Sequence, residues 1–456
     1  MSRIDWKETQ LGDLISIKHG FAFPGKNITD LETDNILVTP GHFNIGGGFK
    51  NVHKKFFNGD IDEEYILEEG DLIITMTDLS KKGETLGYSA IVPKLKNKKL
   101  LHNQRIGKVK INNPDIKKSF LNYLLRDKHY RHWILSTSTG STVRHTSPSR
   151  IEEFKFFLPS IEEQSNIAEV LLPLDSKIEL NQKMNETLEE IAKTLFKSWF
   201  IDFDPVRAKA EGRPTGLSKE ISDLFPDSLE DSELGEIPSG WKISSLGDKS
   251  FEIESGKRPK GGINKKLKTG IPSVGAESVS SIGTFNYSKE KLVTHKFYET
   301  CLKGKVKNND VALYKDGGKP GLFMPRVALY GEGFPYKEFL VNEHVFLLRS
   351  TELGQFFLYH LINSSFMMRE IIEKGSAKAA QPGLNQEEVK SCKFISPPTN
   401  LIDEFNKIIK PSIKKQLILG IESNTLTNLR DTLLPKLISG NLIIPGAEEI
   451  IEEAGV

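Results

Sequence analysis

The feature that most constrains this chain is that its sequence pattern occurs twice, in the same order. Trp6 begins WKETQLGDLISI, and 235 residues later Trp241 begins WKISSLGDKSFEI. Further pairs follow in matching order: GDLIIT at Gly70 with NDVALY at Asn309, LHNQ at Leu101 with LVNE at Leu340, FLNYLL at Phe120 with FLYHLI at Phe357, and GSTVRHTSPSR at Gly140 with GSAKAAQPGLN at Gly375. A repeat of this length predicts two structural units with one topology.

Each half begins with short β-type segments, such as residues 72–75 and 345–348, separated by Gly, Asn and Pro turns. Helical segments follow near residues 121–135 and 356–373. We therefore expect an α+β protein made of two similar globular α/β domains.

Each half then ends in a long helical pattern. Apolar residues recur at three- and four-residue steps from Ile167 to Trp199, and again from Ile402 to Leu437. An apolar stripe on a helix that is too long for one domain core must pack against another helix. The simplest partner is the equivalent helix of the other half, which gives an antiparallel pair. Pro411 and Pro435 predict kinks or breaks in the second helix.

Composition changes along the chain place the domain boundaries. Residues between the first helix and Trp241 are rich in Pro, Gly, Ser and acidic side chains, as in a linker. The predicted order is a first domain at 1–158, a helix at 159–205, a linker at 206–240, a second domain at 241–396, a helix at 397–442 and a tail at 443–456.

Charge is divided unevenly along the chain, although the net charge is only +1. Residues 1–158 hold 24 Lys and Arg against 19 Asp and Glu, and residues 241–396 hold 24 against 16. Residues 159–240 hold 8 against 18, and residues 397–456 hold 6 against 8. Two basic blocks thus alternate with two acidic ones, which favours a polyanionic partner; solvated surface lysines would explain either block alone equally well.

Several classes of protein are disfavoured by composition. The chain has no run of eighteen apolar residues, and MSRIDWKETQ lacks the apolar segment of a signal peptide, so we expect a cytoplasmic protein that does not enter a membrane. Cys301 and Cys392 are the only cysteines, which gives neither a disulfide framework nor a four-cysteine zinc site.

Motifs for catalysis are incomplete. Residues 396–399, SPPT, lack the aromatic residue of an amino-methyltransferase motif, and KDGGKP at Lys315 lacks the spacing of a phosphate loop. A nuclease pattern at Pro114, Asp115 and 153–155 is only half repeated at 388–390. We therefore predict no catalytic residue and no metal site.

The loops are suited to binding instead. Arg and Lys can bind phosphates, and Arg, Asn, Gln, Ser and Thr can contact base edges. The candidate DNA-binding residues are Lys81, Lys82, Arg144, His145, Arg150, Lys257, Arg258, Lys260, Lys265, Lys315, Lys319 and Lys378.

Four segments resemble a known family. LFKSWFIDFDP at Leu195, SELGEIPSGW at Ser232, LRDTLLPKLISG at Leu429 and the paired W…LGD openings resemble the specificity subunit of type I restriction–modification enzymes. The resemblance extends from Trp6 to about Leu442, and the helical segments with their flanks are its most specific part.

The resemblance implies a function for each part. Each of two target recognition domains would read one half of a split, asymmetric site in double-stranded DNA, and the two helices would space the domains. Two methyltransferase (M) subunits would dock at the helices, and restriction (R) subunits would join them. S-adenosylmethionine, ATP and Mg²⁺ would act in those partners, with no cofactor in this chain. A helix of about thirty residues is ~45 Å long, enough to separate readers one DNA turn, ~34–36 Å, apart.

The same resemblance gives a role to apolar residues near the helix ends. They would pack on the other helix or on a bound methyltransferase subunit, and the candidates are Phe196, Trp199, Phe200, Phe203, Leu429, Leu433 and Leu437. Two other functions stay open from the residues alone. One is a protein-interaction scaffold whose basic domains bind acidic proteins, and the other is an intrinsic enzyme, which the incomplete motifs disfavour.

Overall fold

A computed structural model describes residues 6–50, 55–264, 266–319, 322–377 and 382–455. The chain divides into two compact units. Unit 1 consists of Met1–Ser176 together with Leu426–Val456, and unit 2 consists of Lys177–Thr425.

Unit 1 contains mostly short strands followed by helices. Its strands are β1 (Lys7–Gln10), β2 (Ile15–His19), β3 (Ile28–Thr29), β4 (Asn35–Leu37), β5 (Lys55–Phe57), β6 (Ile66–Leu67), β7 (Leu72–Thr75), β8 (Thr77–Asp78), β9 (Ser89–Ile91), β10 (Lys99–Leu101), β11 (Ile106–Ile111), β12 (Arg144–His145) and β13 (Lys155–Leu158). Its helices are α1 (Lys118–Leu124), α2 (Lys128–Thr137), α3 (Pro148–Glu152) and the first part of α4 (Ile161–Phe200). The predicted strand at 72–75 and the helical segments near 121–135 are confirmed.

Unit 2 repeats this succession. Its strands are β14 (Leu229–Ser232), β15 (Gly235–Pro238), β16 (Lys242–Ser245), β17 (Phe251–Ser255), β18 (Ile271–Val274), β19 (Leu292–Val293), β20 (Asp310–Tyr314), β21 (Gly318–Lys319), β22 (Leu322–Phe323), β23 (Arg326–Tyr330), β24 (Leu340–Val341), β25 (Val345–Ser350) and β26 (Lys393–Ser396). The remaining helices are α5 (Asp204–Ala210), α6 (Lys219–Ser222), α7 (His295–Thr300), α8 (Gln355–Ile362), α9 (Ser365–Ser376), α10 (Gln386–Lys390), α11 (Thr399–Ile438) and, in unit 1, α12 (Ile444–Glu453).

The two units share one sheet topology. One sheet has the order β2-β11-β7-β9 in unit 1 and β17-β25-β20-β23 in unit 2. A second sheet contains β5-β4-β10 in unit 1 and β19-β18-β24 in unit 2, and its β4–β10 and β18–β24 pairs are both parallel. The outer pairs β1–β13 and β16–β26 are both antiparallel. The internal repeat predicted from the sequence is therefore a repeat of fold.

Helix starts are also repeated, because equivalent polar residues cap them. The Ser147 side chain accepts a hydrogen bond from the Arg150 backbone N–H at the start of α3. Asn385 does the same for Glu388 at the start of α10. A side chain that satisfies a free N–H of the first turn stabilises a helix by about 0.5–2 kcal/mol.

Both long helices are 40 residues in length, and each contains a proline at its thirteenth position, Pro173 in α4 and Pro411 in α11. The expected break at Pro411 or Pro435 is wrong, because α11 continues through both residues. Ile409 and Ile413 on either side of Pro411 are buried. Burial of such side chains, at about 1.5–3 kcal/mol each, offsets the ~3 kcal/mol that proline costs inside a helix.

Within unit 2 the two helices run antiparallel. The Asn181 amide of α4 donates a hydrogen bond to Oε2 of Glu422 in α11 at 3.0 Å. Phe196 lies later in α4 and contacts Phe405, which lies earlier in α11, with ring centroids 5.6 Å apart. Lys177 also lies 3.2 Å from Glu422. The predicted antiparallel helix pair is confirmed in this unit.

The aromatic residues at the end of α4 belong to the core of unit 2. The side chains of Phe196, Trp199, Phe200 and Phe203 are all buried. Their ring partners are Phe405 of α11, Phe357 of α8, Phe225 and Trp241. In unit 1, Leu429, Leu433 and Leu437 of α11 are buried too. These side chains pack within the chain, so a partner subunit would have to contact other residues.

The segment between α4 and β16, expected as a linker, has its own structure. It contains α5, α6 and an antiparallel hairpin in which Leu229 pairs with Pro238 and Ser232 with Gly235. Val206, Phe225 and Ile237 are buried. The polar composition of the segment conceals these few apolar residues, of which Val206 and Phe225 attach the segment to the core of unit 2.

Candidate nucleic-acid interface

In unit 1, two loops with predicted DNA-binding residues meet at a short strand pair. β8 and β12 are antiparallel, with Arg144 opposite Asp78 and His145 opposite Thr77. The Arg144 guanidinium donates through Nε to the carbonyl oxygen of Lys81 at 3.1 Å. The structure therefore brings the loop at 79–88 and the strand at 144–145 together, as one basic surface.

Asp78 fixes the conformation of the 79–88 loop. Its carboxylate accepts hydrogen bonds from the backbone N–H of Ser80 at 2.6 Å, and from both the backbone N–H and the hydroxyl of Thr85 at 2.5 and 2.7 Å. Burial opposes ionisation of Asp78, but the hydrogen bonds from Thr85 and Ser80 outweigh it and lower its pKa. An ionised carboxylate thus anchors both ends of the loop.

A second anchor lies under the same loop. The Arg131 guanidinium stacks over the Tyr88 ring at 4.4 Å and donates a hydrogen bond to the Gly83 carbonyl. Leu86 is fully buried, and a Cβ added to Gly87 would lie 2.7 Å from Ile134. The loop is consequently held from below, and the side chains of Lys81 and Lys82 are exposed.

The other two candidates of unit 1 differ in setting. His145 is exposed, with Nδ1 at 3.1 Å from the Thr77 hydroxyl. Arg150 lies on α3, and its carbonyl oxygen accepts a hydrogen bond from the Trp133 indole at 2.7 Å. His145 therefore belongs to the loop surface, whereas Arg150 belongs to the helical layer beside it.

In unit 2, a chain of charged side chains and one imidazole joins candidates that are far apart in sequence. Arg258 Nη2 lies 2.6 Å from Glu343 Oε1, and Glu343 lies 3.3 Å from His344 Nε2. Asp316 lies 2.9 Å from His344 Nδ1 and 3.0 Å from Lys315 Nζ. Arg258 and Lys315 thus share one site, although acidic neighbours partly neutralise both.

Other candidates of unit 2 are less constrained or not described. Lys257 and Lys260 are exposed in the loop after β17. Lys319 lies in β21, where only its backbone is described, and Lys265 and Lys378 lie outside the described residues.

A glycine sets the course of the loop that follows β2 in unit 1 and of the loop that follows β17 in unit 2. A Cβ at Gly20 would lie 2.2 Å from the carbonyl oxygen of Asn103, and one at Gly256 would lie 1.6 Å from that of Val341. Both separations are too short for any side chain, so glycine allows the loop to cross the repeated LHNQ and LVNE turn. Residues after these glycines, including Arg258, reach the site for this reason.

The structure adds one amide residue and two basic residues that the sequence alone did not identify. Gln104 and Arg105 are exposed in unit 1, and the Arg105 carbonyl accepts from the Met76 N–H at 2.9 Å, beside the 79–88 loop. Arg326 is exposed in unit 2 and lies over the Tyr314 ring at 5.1 Å. Arg105 directly follows the repeated LHNQ segment, which was the available signal. For Arg326 the sequence offered no signal other than its positive charge.

The chemistry of both sites is that of binding. They combine guanidinium, ammonium, imidazole and amide groups on loops that are fixed by buried anchors. In the described ranges, no group of three or more His, Cys, Asp or Glu side chains is arranged to hold a metal ion. None of the helices in the described part of the chain has the length and hydropathy of a membrane span.

Comparison with known proteins gives the same division into two repeats. The family model for the type I restriction modification DNA specificity domain matches residues 3–190 and again residues 238–422. The type I restriction enzyme MjaIX specificity subunit of Methanocaldococcus jannaschii is 30% identical over 334 residues, which cover 71% of this chain and 68% of the relative. The HindI specificity subunit of Haemophilus influenzae is 25% identical, with coverage of 96% and 100%.

A solved structure has the same fold. The type I restriction-modification S subunit from M. genitalium aligns with a TM-score of 0.50 and 17% identity, over 95% of this chain and 96% of that one. The family match covers most of the chain, and its two segments coincide with the two copies of the repeated fold. The chain therefore belongs to the family of type I restriction–modification DNA specificity proteins.

Proposed function

We propose that each unit reads one half of a bipartite site in double-stranded DNA. The observation that carries this proposal is that both units, within one topology, place basic side chains on the loop that follows equivalent strands, β7 in unit 1 and β20 in unit 2. Unit 1 presents Lys81, Arg144 and His145, whereas unit 2 presents Arg258 and Lys315. Because the two readers differ chemically, the two half-sites differ, and the target is asymmetric.

The candidate residues divide by the type of contact they suit. Lys81, Lys82, Lys257 and Lys260 are exposed ammonium groups, which suit phosphates and set the salt dependence of binding. Arg144 and Arg258 are oriented by neighbouring groups, and a pre-oriented guanidinium suits bidentate contact with guanine.

The helices space the two readers and dock two methyltransferase subunits, with restriction subunits joining the assembly. A surface that suits docking lies on α4, where Leu180, Met184 and Ile191 are exposed at steps of four and seven residues, on one helix face. The buried aromatic residues at the end of α4 do not supply this surface, because they fill the core of unit 2.

In this proposal the chain recognises DNA and its partners perform the chemistry. S-adenosylmethionine, ATP and Mg²⁺ are bound by the methyltransferase and restriction subunits, in the cytoplasm, and this chain carries no catalytic residue. The incomplete methyltransferase, nuclease and phosphate-loop motifs support this division of labour.

Selection from a pool of random duplexes tests the proposal. The chain, assembled with its methyltransferase subunits, should enrich one asymmetric sequence made of two defined blocks and a spacer of fixed length. Affinity for that duplex should fall steeply with salt. A protein-interaction scaffold would enrich no sequence, and a palindromic consensus would contradict two different readers.

A further inference from the structure

The basic loop of unit 1 carries a large apolar side chain at its outer surface. Leu79 directly follows β8 and is 64% exposed, whereas Leu86 in the same loop is fully buried. Single exposed leucines are common and need no function by themselves. The position of Leu79 is unusual, because it lies two residues before the exposed Lys81 and Lys82.

The backbone around Leu79 is fixed. Asp78 precedes it and accepts a hydrogen bond from the N–H of Ser80, the residue that follows it. On the amino-terminal side of Leu79, β8 is paired with β12. The loop therefore holds Leu79 outward at little further loss of conformational entropy on binding, as pre-organised recognition requires.

Unit 2 has the same feature at the equivalent place. The β21–β22 hairpin follows β20 as the 79–88 loop follows β7, and it presents Leu322 at 53% exposure and Met324 at 60%. Phe323 between them is buried, and its N–H donates to the Ser376 hydroxyl at 3.2 Å. Strand alternation with a buried anchor thus fixes Leu322 and Met324 outward.

Resting on the function proposed above, we propose that Leu79 contacts a base in the first half-site, and that Leu322 and Met324 contact a base in the second. Phosphates offer no apolar surface and the sugars offer little, so an apolar side chain among cationic ones is desolvated best against the bases. Duplex DNA offers two such contacts, the thymine methyl group in the major groove and the space between stacked base pairs.

The test uses the whole chain with its methyltransferase subunits and the duplex selected by the unaltered protein. Leu79→Ser should weaken binding to that duplex by roughly 5- to 30-fold, while affinity for unrelated duplex and the salt slope stay unchanged. Leu79→Met should restore most of the affinity. Leu31→Ser is the matched control, because Leu31 is 79% exposed in unit 1 but lies between β3 and β4. Leu302, 93% exposed, gives the same control in unit 2 for Leu322→Ser.

Replacing each thymine of the first half-site by uracil distinguishes the two contacts. If one uracil weakens the unaltered protein but not Leu79→Ser, the contact is with a thymine methyl group. If no uracil matters but Leu79→Ser reduces duplex bending measured by fluorescence transfer, the side chain is inserted between base pairs. Either result supports base contact by Leu79.

Two outcomes overturn this inference. Leu79→Ser could leave the ratio of specific to non-specific affinity unchanged, or both affinities could fall together. The first step of the experiment keeps the two proposals separate. If the unaltered protein selects no bipartite sequence, the proposed function fails; if it does and Leu79→Ser behaves as Leu31→Ser does, only the inference about Leu79 fails.

Discussion

Asp175 of α4 binds two arginines of unit 1 at once. Its carboxylate lies 2.5 Å from Arg126 Nη1 and 2.8 Å from Arg430 Nη1. Arg126 is almost fully buried, and its Nε donates to the Gly46 carbonyl at 2.8 Å. Asp175 therefore bridges two guanidinium groups that come from the body of unit 1 and from α11, and Asp431 lies 2.7 Å from Arg430 Nη2 as a second partner.

Asp175→Ala should destabilise unit 1 by about 3–5 kcal/mol, because removing one partner of a buried ion pair leaves uncompensated charge. Thermal or urea unfolding, followed by a signal from unit 1, measures this change. Asp30→Asn is the control, because the Asp30–Lys55 pair is exposed and such pairs contribute about 0–1 kcal/mol. Equal effects of the two substitutions would contradict a buried charge cluster.

The same group gives a pH dependence. Burial opposes ionisation of Asp175, but Arg126 and Arg430 outweigh it and lower its pKa. A lowered pKa means that the stabilisation is complete above the unfolded value, about 3.9, and is lost as the pH falls through the folded value. The difference in unfolding free energy between the protein and Asp175→Asn should be constant from pH 7 to about 4 and shrink below it.

Contacts between individual side chains are predicted less well from the sequence than strands, helices and domains are. The sequence identified Arg258 and Lys315 as basic loop residues, but not Glu343 and Asp316 as their neutralising partners. Such pairs join loops from different strands, so sequence spacing carries no signal for them. The loop anchor at Asp78 was missed for the same reason, since an acidic residue in a basic loop reads as solvated charge.

Among elements, α4 contains two sets of apolar residues, one buried in a core and one exposed, and its sequence does not distinguish them. Large apolar residues occur all along the helix, but Trp199 is buried in unit 2 while Ile191 is exposed. The spacing of apolar residues along α4 indicates one apolar face. It does not show which of the apolar residues lie outside that face and are exposed. The structure separates them by burial.

Substitutions at these two positions should therefore act differently. Trp199→Ala should lower the stability of unit 2 by about 3–5 kcal/mol, as truncation of a buried aromatic residue does. Ile191→Asp should leave the unfolding temperature unchanged and weaken assembly with methyltransferase subunits, measured by analytical ultracentrifugation. Lys183→Asp, on the exposed surface of the same helix, is the control for an added charge. Unweakened assembly of Ile191→Asp would exclude this surface from docking.

The correspondence between the two halves was the best predicted level of structure. Matching segments such as GDLIIT and NDVALY became β7 and β20 at equivalent positions of their sheets. The hairpin of β14 and β15 was not predicted, because its sequence is polar and short. Local propensity is weak where a few buried residues, such as Ile237, decide whether a segment is ordered.

For the whole molecule, the repeat implies that specificity is modular. Replacing residues 241–396 with the same region of a relative of different specificity should change only one half of the methylated sequence. The other half and the spacer length should persist, because unit 1 and both helices are unaltered. Sequencing of methylated sites in cells measures this outcome. A simultaneous change in both half-sites would contradict independent readers.

The division of the chain into units also bears on how the protein is made. Unit 2 is one continuous segment, Lys177–Thr425, whereas unit 1 combines Met1–Ser176 with residues that follow Leu426. A ribosome therefore releases most of unit 1 first, but without the part of α11 that supplies Arg430 and Leu433. Unit 2 is therefore complete before unit 1, and the amino-terminal part of unit 1 lacks its α11 residues while Lys177–Thr425 is being synthesised.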